Sequence, residues 1–111
     1  MKKLVVICVV LLAALNISAQ KVYSTQYEYQ ADVKVYAVQY EYQADLCVYK
    51  VSYEYQAGNN DGKWFFTDYE YQASKKVYFV SSEYQADVKI YFVNYEYQAG
   101  WKNKEKMYKF Y

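Results

Sequence analysis

The chain has 111 residues, 13 lysines against 12 acidic residues, a net charge of +1, and neither histidine nor arginine. That length holds one small domain, and the even charge without arginine excludes the basic stripe of a nucleic-acid binder. With 55% apolar and 23% aromatic residues, the chain is also too hydrophobic to remain disordered.

Residues 1–19 read as a secretory signal peptide. Lys2 and Lys3 form the charged start, Leu4 to Leu15 the apolar run, and Asn16, Ile17, Ser18 and Ala19 the exit, with cleavage after Ala19. The run is short of the roughly 20 apolar residues of a membrane span, so an uncleaved anchor is the weaker alternative. Cys8 follows Val5, Val6 and Ile7, where a lipidated cysteine wants a small residue. The expected destination is outside the cytoplasm: periplasm, cell surface or medium. The exported part, residues 20–111, is expected to be a single domain carrying 11 lysines against 12 acids.

Cys47 is the one cysteine left after cleavage, so no internal disulfide can form. With no histidine, neither a metal nor a cofactor is expected. Stability in so small a domain must come from packing, topology or self-association.

A repeat begins at Lys21. Lysine recurs at 34, 63, 76, 89 and 102, with Cys47 in the vacant slot, so the period is 13 except where Asn60-Asp61-Gly62 is inserted. There are six full units and a degenerate seventh, "KNKEKMYKFY". Counting the lysine as position 1, aromatic residues fill position 3, Val or Thr position 5, Tyr mostly position 7 and always position 9, and Ala position 11. Glu holds position 8 and Gln position 10 in all six. Alternation with β-branched and aromatic residues predicts a strand in each unit, from position 2 to position 11, bending at the alanine. On that phase tyrosine and valine face the core, and Glu and Gln the solvent. Cys47, standing where other units have Lys, reads as a tolerated surface substitution.

The junctions mostly read "ADVK" or "ADLC" and lack the Asn-Gly or Asp-Gly of tight hairpins. A chain that keeps winding in one sense fits better. Gly58 and Gly100 end the third and sixth units, and a Trp follows each, at 64 and 101. Position 4 is Ser24, Ala37 and Lys50 in the first three units but Phe66, Phe79 and Phe92 in the next three. The chain therefore divides into two passes of three repeats, the second expected to be buried on both faces. The fold class is all-β, with a β-solenoid as the alternative to a compact two-pass domain.

The row formed by Glu28, Glu41, Glu54, Glu70, Glu83 and Glu96 is not the convergent pair that acid–base chemistry needs, and no histidine is present to serve as a base. These glutamates are expected to pair with lysines. The repeated glutamines are expected to bond the backbone at the bend. If any residues contact a ligand or partner, the aromatic candidates are Trp64, Phe66, Phe79, Phe92 and Trp101; the alternative is that they are core.

The segments "YEYQADVKVYAVQYEYQADLCVYK", "GKWFF" and "DVKIYFVNYEYQAGWKNK", in that order, resemble the bacterial septoil knot family across about residues 21 to 108. The resemblance implies a compact all-β domain whose chain forms a torus knot with seven crossings. It implies no reaction, cofactor or catalytic residue. The family often has Ser where this chain has Tyr29, Tyr42, Tyr55, Tyr71, Tyr84 and Tyr97. The expectation is a monomeric, non-enzymatic exported protein with a structural role. The alternative is an aromatic-surface module for a glycan or a cell-envelope partner. A fibre of edge-joined strands is a weaker third.

Overall fold

The computed structural model describes residues 19–111; the signal peptide expected at 1–19 lies outside the described residues but for Ala19. Seven strands follow in chain order: β1 (Lys21–Ser24), β2 (Val33–Ala37), β3 (Leu46–Lys50), β4 (Lys63–Phe66), β5 (Lys75–Phe79), β6 (Val88–Phe92) and β7 (Gly100–Trp101). Each repeat thus contributes a short strand, and the long strand expected through "YEYQA" does not form. In all six units Glu-Tyr-Gln makes a single 3-10 turn instead, as at Glu28–Gln30 and Glu41–Gln43. In the first, the Gln30 N–H donates to Tyr27 O at 3.1 Å and the Ala31 N–H to Glu28 O at 3.1 Å.

The strands pair in the order β4-β1-β5-β2-β6-β3, and β3 pairs again with β4, which closes a six-stranded barrel. All pairings among these six strands are parallel. Only β7 is antiparallel, against the start of β3, with Leu46 opposite Trp101 and Cys47 opposite Gly100. Around the barrel, strands of the first pass (β1, β2, β3) alternate with strands of the second (β4, β5, β6). A β-solenoid would set successive repeats side by side, so that alternative is overturned. Consecutive strands are separated by a strand of the other pass, and the segment joining them must cross it. The 3-10 turn at Glu41–Gln43, between β2 and β3, lies against β6, and that at Glu83–Gln85, between β5 and β6, lies against β2. "YEYQA" is therefore an external arch over a strand and not part of the sheet.

The core sits on the face opposite to the one expected. Val22, Val35, Val48, Trp64, Val77 and Ile90, at position 2 of their repeats, are fully buried, and Val33, Leu46 and Val88 form a second layer. Full burial of one such side chain contributes roughly 1.5–3 kcal/mol. The Val or Thr at position 5 is buried in four repeats, at Thr25, Val38, Val51 and Thr67. The tyrosines at positions 7 and 9 point away from the core and are exposed. The alternation does not continue through the arch, because a 3-10 turn has three residues per turn and resets the phase of two.

The two passes are clasped at the strand starts. Asp32 Oδ2 accepts the Lys76 N–H, Asp45 Oδ2 the Lys89 N–H and Asp87 Oδ2 the Lys34 N–H, each at 2.9 Å. The aspartate's own N–H donates back to that lysine's carbonyl at 2.7–2.8 Å. Ser74 takes the same place toward Lys21. After β7 the chain forms a 3-10 segment, Lys104–Phe110. Its buried Phe110 ring lies 5.3 Å from that of Trp64 and 5.8 Å from that of Trp101. This tail covers the end of the barrel where the parallel strands begin.

Candidate functional site

The five aromatic candidates fall into different places. Trp64 is 0% exposed in the barrel interior, and its indole N–H has no acceptor among the described residues. Trp101 is half-buried at the tail end, where its Nε1–H donates to Asn60 O at 3.0 Å and Asn60 Oδ1 at 3.2 Å. Phe66, Phe79 and Phe92 pack partly buried against the core. They lie at the far end of the strands, with ring centroids 6.4 Å (Phe66–Phe92) and 6.5 Å (Phe79–Phe92) apart. Lys50 Nζ stands 4.4 Å from the Phe92 ring and 5.6 Å from that of Phe66. The structure thus brings the three phenylalanines together and separates them from Trp101.

The inserted Asn60 is a junction. With φ of 53° it takes up the left-handed conformation that asparagine tolerates. Its Oδ1 accepts from Gln20 Nε2 at 3.3 Å as well as from Trp101, and its Nδ2 donates to Met107 O at 3.2 Å. A cavity of about 430 Å³ opens beside it, lined by Gln20, Asn59, Ser74, Lys75, Phe110 and Tyr111. Lys75 Nζ there donates to Tyr111 O at 2.6 Å, so the cavity's ammonium is engaged in holding the tail.

Cys47 is not on the surface. It is 2% exposed, next to the final strand, and its thiol points at Glu41 Oε1 at 3.8 Å. Burial pushes the thiol above its ordinary pKa; the Glu41 carboxylate adds to this and Lys102 partly opposes it. A thiol held protonated is a poor nucleophile.

The glutamate row is external and paired. Glu28 meets Lys34 at 3.7 Å, while Glu70–Lys76 and Glu83–Lys89 are each 3.2 Å. At the end of each pass the pairing turns back to its beginning: Glu54 meets Lys21, and Glu96 meets Lys63 at 3.2 Å. Where Cys47 replaces lysine, Lys102 takes Glu41 at 3.9 Å. Among the described residues, four of the six glutamines bond within their arch, and only Gln56 and Gln98 bond the backbone as expected. Gln56 Oε1 accepts the N–H groups of Ser52 and Tyr53 at 3.2 and 3.0 Å. In the first repeat of each pass, Thr25 and Thr67 Oγ1 donate to Gln30 and Gln72 at 3.0 Å.

The feature missed in the sequence is the outer surface of the arches. Tyr29, Tyr42, Tyr55, Tyr71, Tyr84 and Tyr97 are 78–88% exposed. In five arches the ring stands beside that of the tyrosine two residues earlier, at 5.7–5.9 Å between centroids. In the fifth arch Ser82 replaces the partner. A usable signal was present: each of these tyrosines lies between Glu and Gln, in a stretch too polar to be covered.

Among the described residues no three metal-ligating side chains come together, and no helix is long and apolar enough to cross a membrane. Comparison with the curated proteins and with the solved structures finds no match. The model of the 7(1) septoil knot domain matches residues 19–102, a span that holds all six repeats and β7. A knot of this kind requires two passes of one chain wound about each other, which is how β1–β3 and β4–β6 alternate around the barrel. On the match and the interleaved barrel together, the chain belongs to the 7(1) septoil knot domain family.

Proposed function

We propose that this chain is an exported, non-enzymatic binding module in which the barrel is a rigid holder for the tyrosine arches. Of the two roles that the sequence leaves open, structural or aromatic-surface, one observation favours the second. Position 9 is tyrosine in six repeats of six, yet it is the most exposed large hydrophobic residue in each. The repeated polar positions beside it have work inside the fold: glutamine bonds the arch in four repeats, and glutamate pairs with lysine in all six. The position-9 ring has none beyond its neighbour, so its repetition is explained by what lies outside. Export rests on the charged, apolar and small-residue sequence of residues 1–19.

Two measurements test this reading. Mass spectrometry of the native protein should find a chain beginning at Gln20; a product retaining Met1 overturns the export. A variant with Ser at all six position-9 sites should keep its far-ultraviolet spectrum and lose retention in the washed envelope fraction. Equal retention of variant and wild type overturns the binding surface.

A further inference from the structure

Resting on that surface reading, we propose that the arches bind a neutral, repeating polysaccharide, with one sugar ring taken per tyrosine platform. The first ground is which residues are exposed. Among the described residues every exposed large hydrophobic side chain is a tyrosine. A protein-docking face draws its anchors from Trp, Phe, Met and Arg as well. Here the phenylalanines and tryptophans are at least half covered, and the chain has no arginine. Tyrosine alone offers a flat apolar face with a polar tip at low conformational cost. That suits a pyranose, whose C–H groups pack on the ring while its hydroxyls stay wet.

The second ground is geometry. In three arches the paired rings are near parallel, at 16° (Tyr40–Tyr42), 10° (Tyr53–Tyr55) and 18° (Tyr95–Tyr97). The third is charge. Each arch carries one glutamate beside its tyrosines, and each of these glutamates meets a lysine. Carboxylate and ammonium both bond hydroxyls, but together they leave no field of one sign to attract a polyanion. The fourth is repetition. Five paired arches, two of them tilted by 40° and 43°, and a sixth with a lone Tyr84 on one barrel suit a ligand that also repeats, because simultaneous engagement multiplies modest affinities.

The test is retention of the exported protein on cellulose and chitin, with alginate as the anionic control and the circular dichroism spectrum checked for every variant. Wild type should be retained on a neutral polymer. Tyr55→Ser alone should weaken retention only a few-fold, and substitution of all six position-9 tyrosines should weaken it about a hundredfold, as loss of avidity requires. Ser82→Tyr, which completes the fifth pair, should strengthen it. Retention on neither neutral polymer, equal retention of the six-site variant, or binding to alginate alone that salt abolishes would each overturn the proposal. Envelope retention separates the two readings. If it depends on the six tyrosines while no neutral polymer binds, the glycan falls and the tyrosine surface stands. If it survives their loss, both fall.

Discussion

Residue by residue, polar groups do more to hold the passes together than the repeated tyrosines do. Each clasping aspartate uses one oxygen to hold the neighbouring strand's N–H, but Asp45 does more. It is 6% exposed and also takes Asn103 Nδ2 at 3.3 Å and Lys106 Nζ at 3.3 Å, while its carbonyl receives the N–H groups of Lys102 and Asn103. Asp45→Ala should lower stability by about 3 kcal/mol because it strands a partly buried ammonium and several donors. Asp32→Ala, with one such side-chain bond, should lose about 1 kcal/mol. Equilibrium urea midpoints for the two would check this, and equal losses would contradict it. Tyr55, at 82% exposed, should change stability by less than about 0.5 kcal/mol on replacement by Ser. Cys47 gives a pH dependence. Its folded pKa is raised, so the native chain keeps a proton that the unfolded chain releases, and stability falls as pH rises past the unfolded thiol's value, about 8.5. The gap between wild type and Cys47→Ala in urea midpoint should therefore move against wild type between about pH 7 and pH 10.

At the scale of elements, the arch replaces the helix that usually joins parallel strands. A parallel crossover needs about a dozen residues. Here a shorter segment suffices because the arch crosses only one strand and reverses through a single 3-10 turn. The insertion is the exception that lets the first pass become the second. Gly62 sits there with φ of +88°, and a Cβ on it would stand 2.4 Å from Cys47 O and 2.9 Å from Gly100 N. Both obstacles are backbone, so Gly62→Ala should destabilise by more than about 2 kcal/mol, combining steric clash with a disfavoured φ. The three atoms nearest a Cβ at Gly58 all belong to the Asp61 carboxylate, a side chain that can swing away, so Gly58→Ala should be the milder change. Thermal unfolding of the pair checks the order.

For the molecule as a whole, closure removes the exposed edges through which strands aggregate, which argues against the edge-joined fibre. Closure also has a kinetic consequence. The clasps join residues 44 or 53 apart in sequence, and the ladders between the passes follow the same spacing except β3–β4, whose partners are 14 apart. Loop closure must come before almost any contact is rewarded, so refolding should take on the order of seconds or longer. Stopped-flow fluorescence of Trp64 and Trp101 after dilution from urea would report it, and complete recovery within milliseconds would contradict it.

The thirteen-residue unit, the two passes of three, the absence of hairpins, the β class and, through "YEYQAD", "GKWFF" and "YEYQAGWKNK", the family are all legible in the chain's residues. Those follow from local chemistry: lysine spacing, missing turn residues, and a position 4 that is phenylalanine only in the second pass. Glu–Lys pairing within a unit, six residues apart at Glu28–Lys34, Glu70–Lys76 and Glu83–Lys89, was also legible because it is short-range, whereas the Lys21–Glu54, Lys63–Glu96 and Lys102–Glu41 pairs needed the closed barrel. The sequence did not determine which face of each strand is inside, since "VKVYAV" carries valine on both faces, Val33 and Val35 on one and Val38 beside Tyr36 on the other, and only barrel closure chooses between them. Nor could it show that Cys47 is buried, because the final strand that covers it arrives from the far end of the chain. That YEYQA is an arch whose tyrosines face water emerges only once the strands of the two passes interleave. Once the barrel interior is filled from position 2, no room is left inside for the rings.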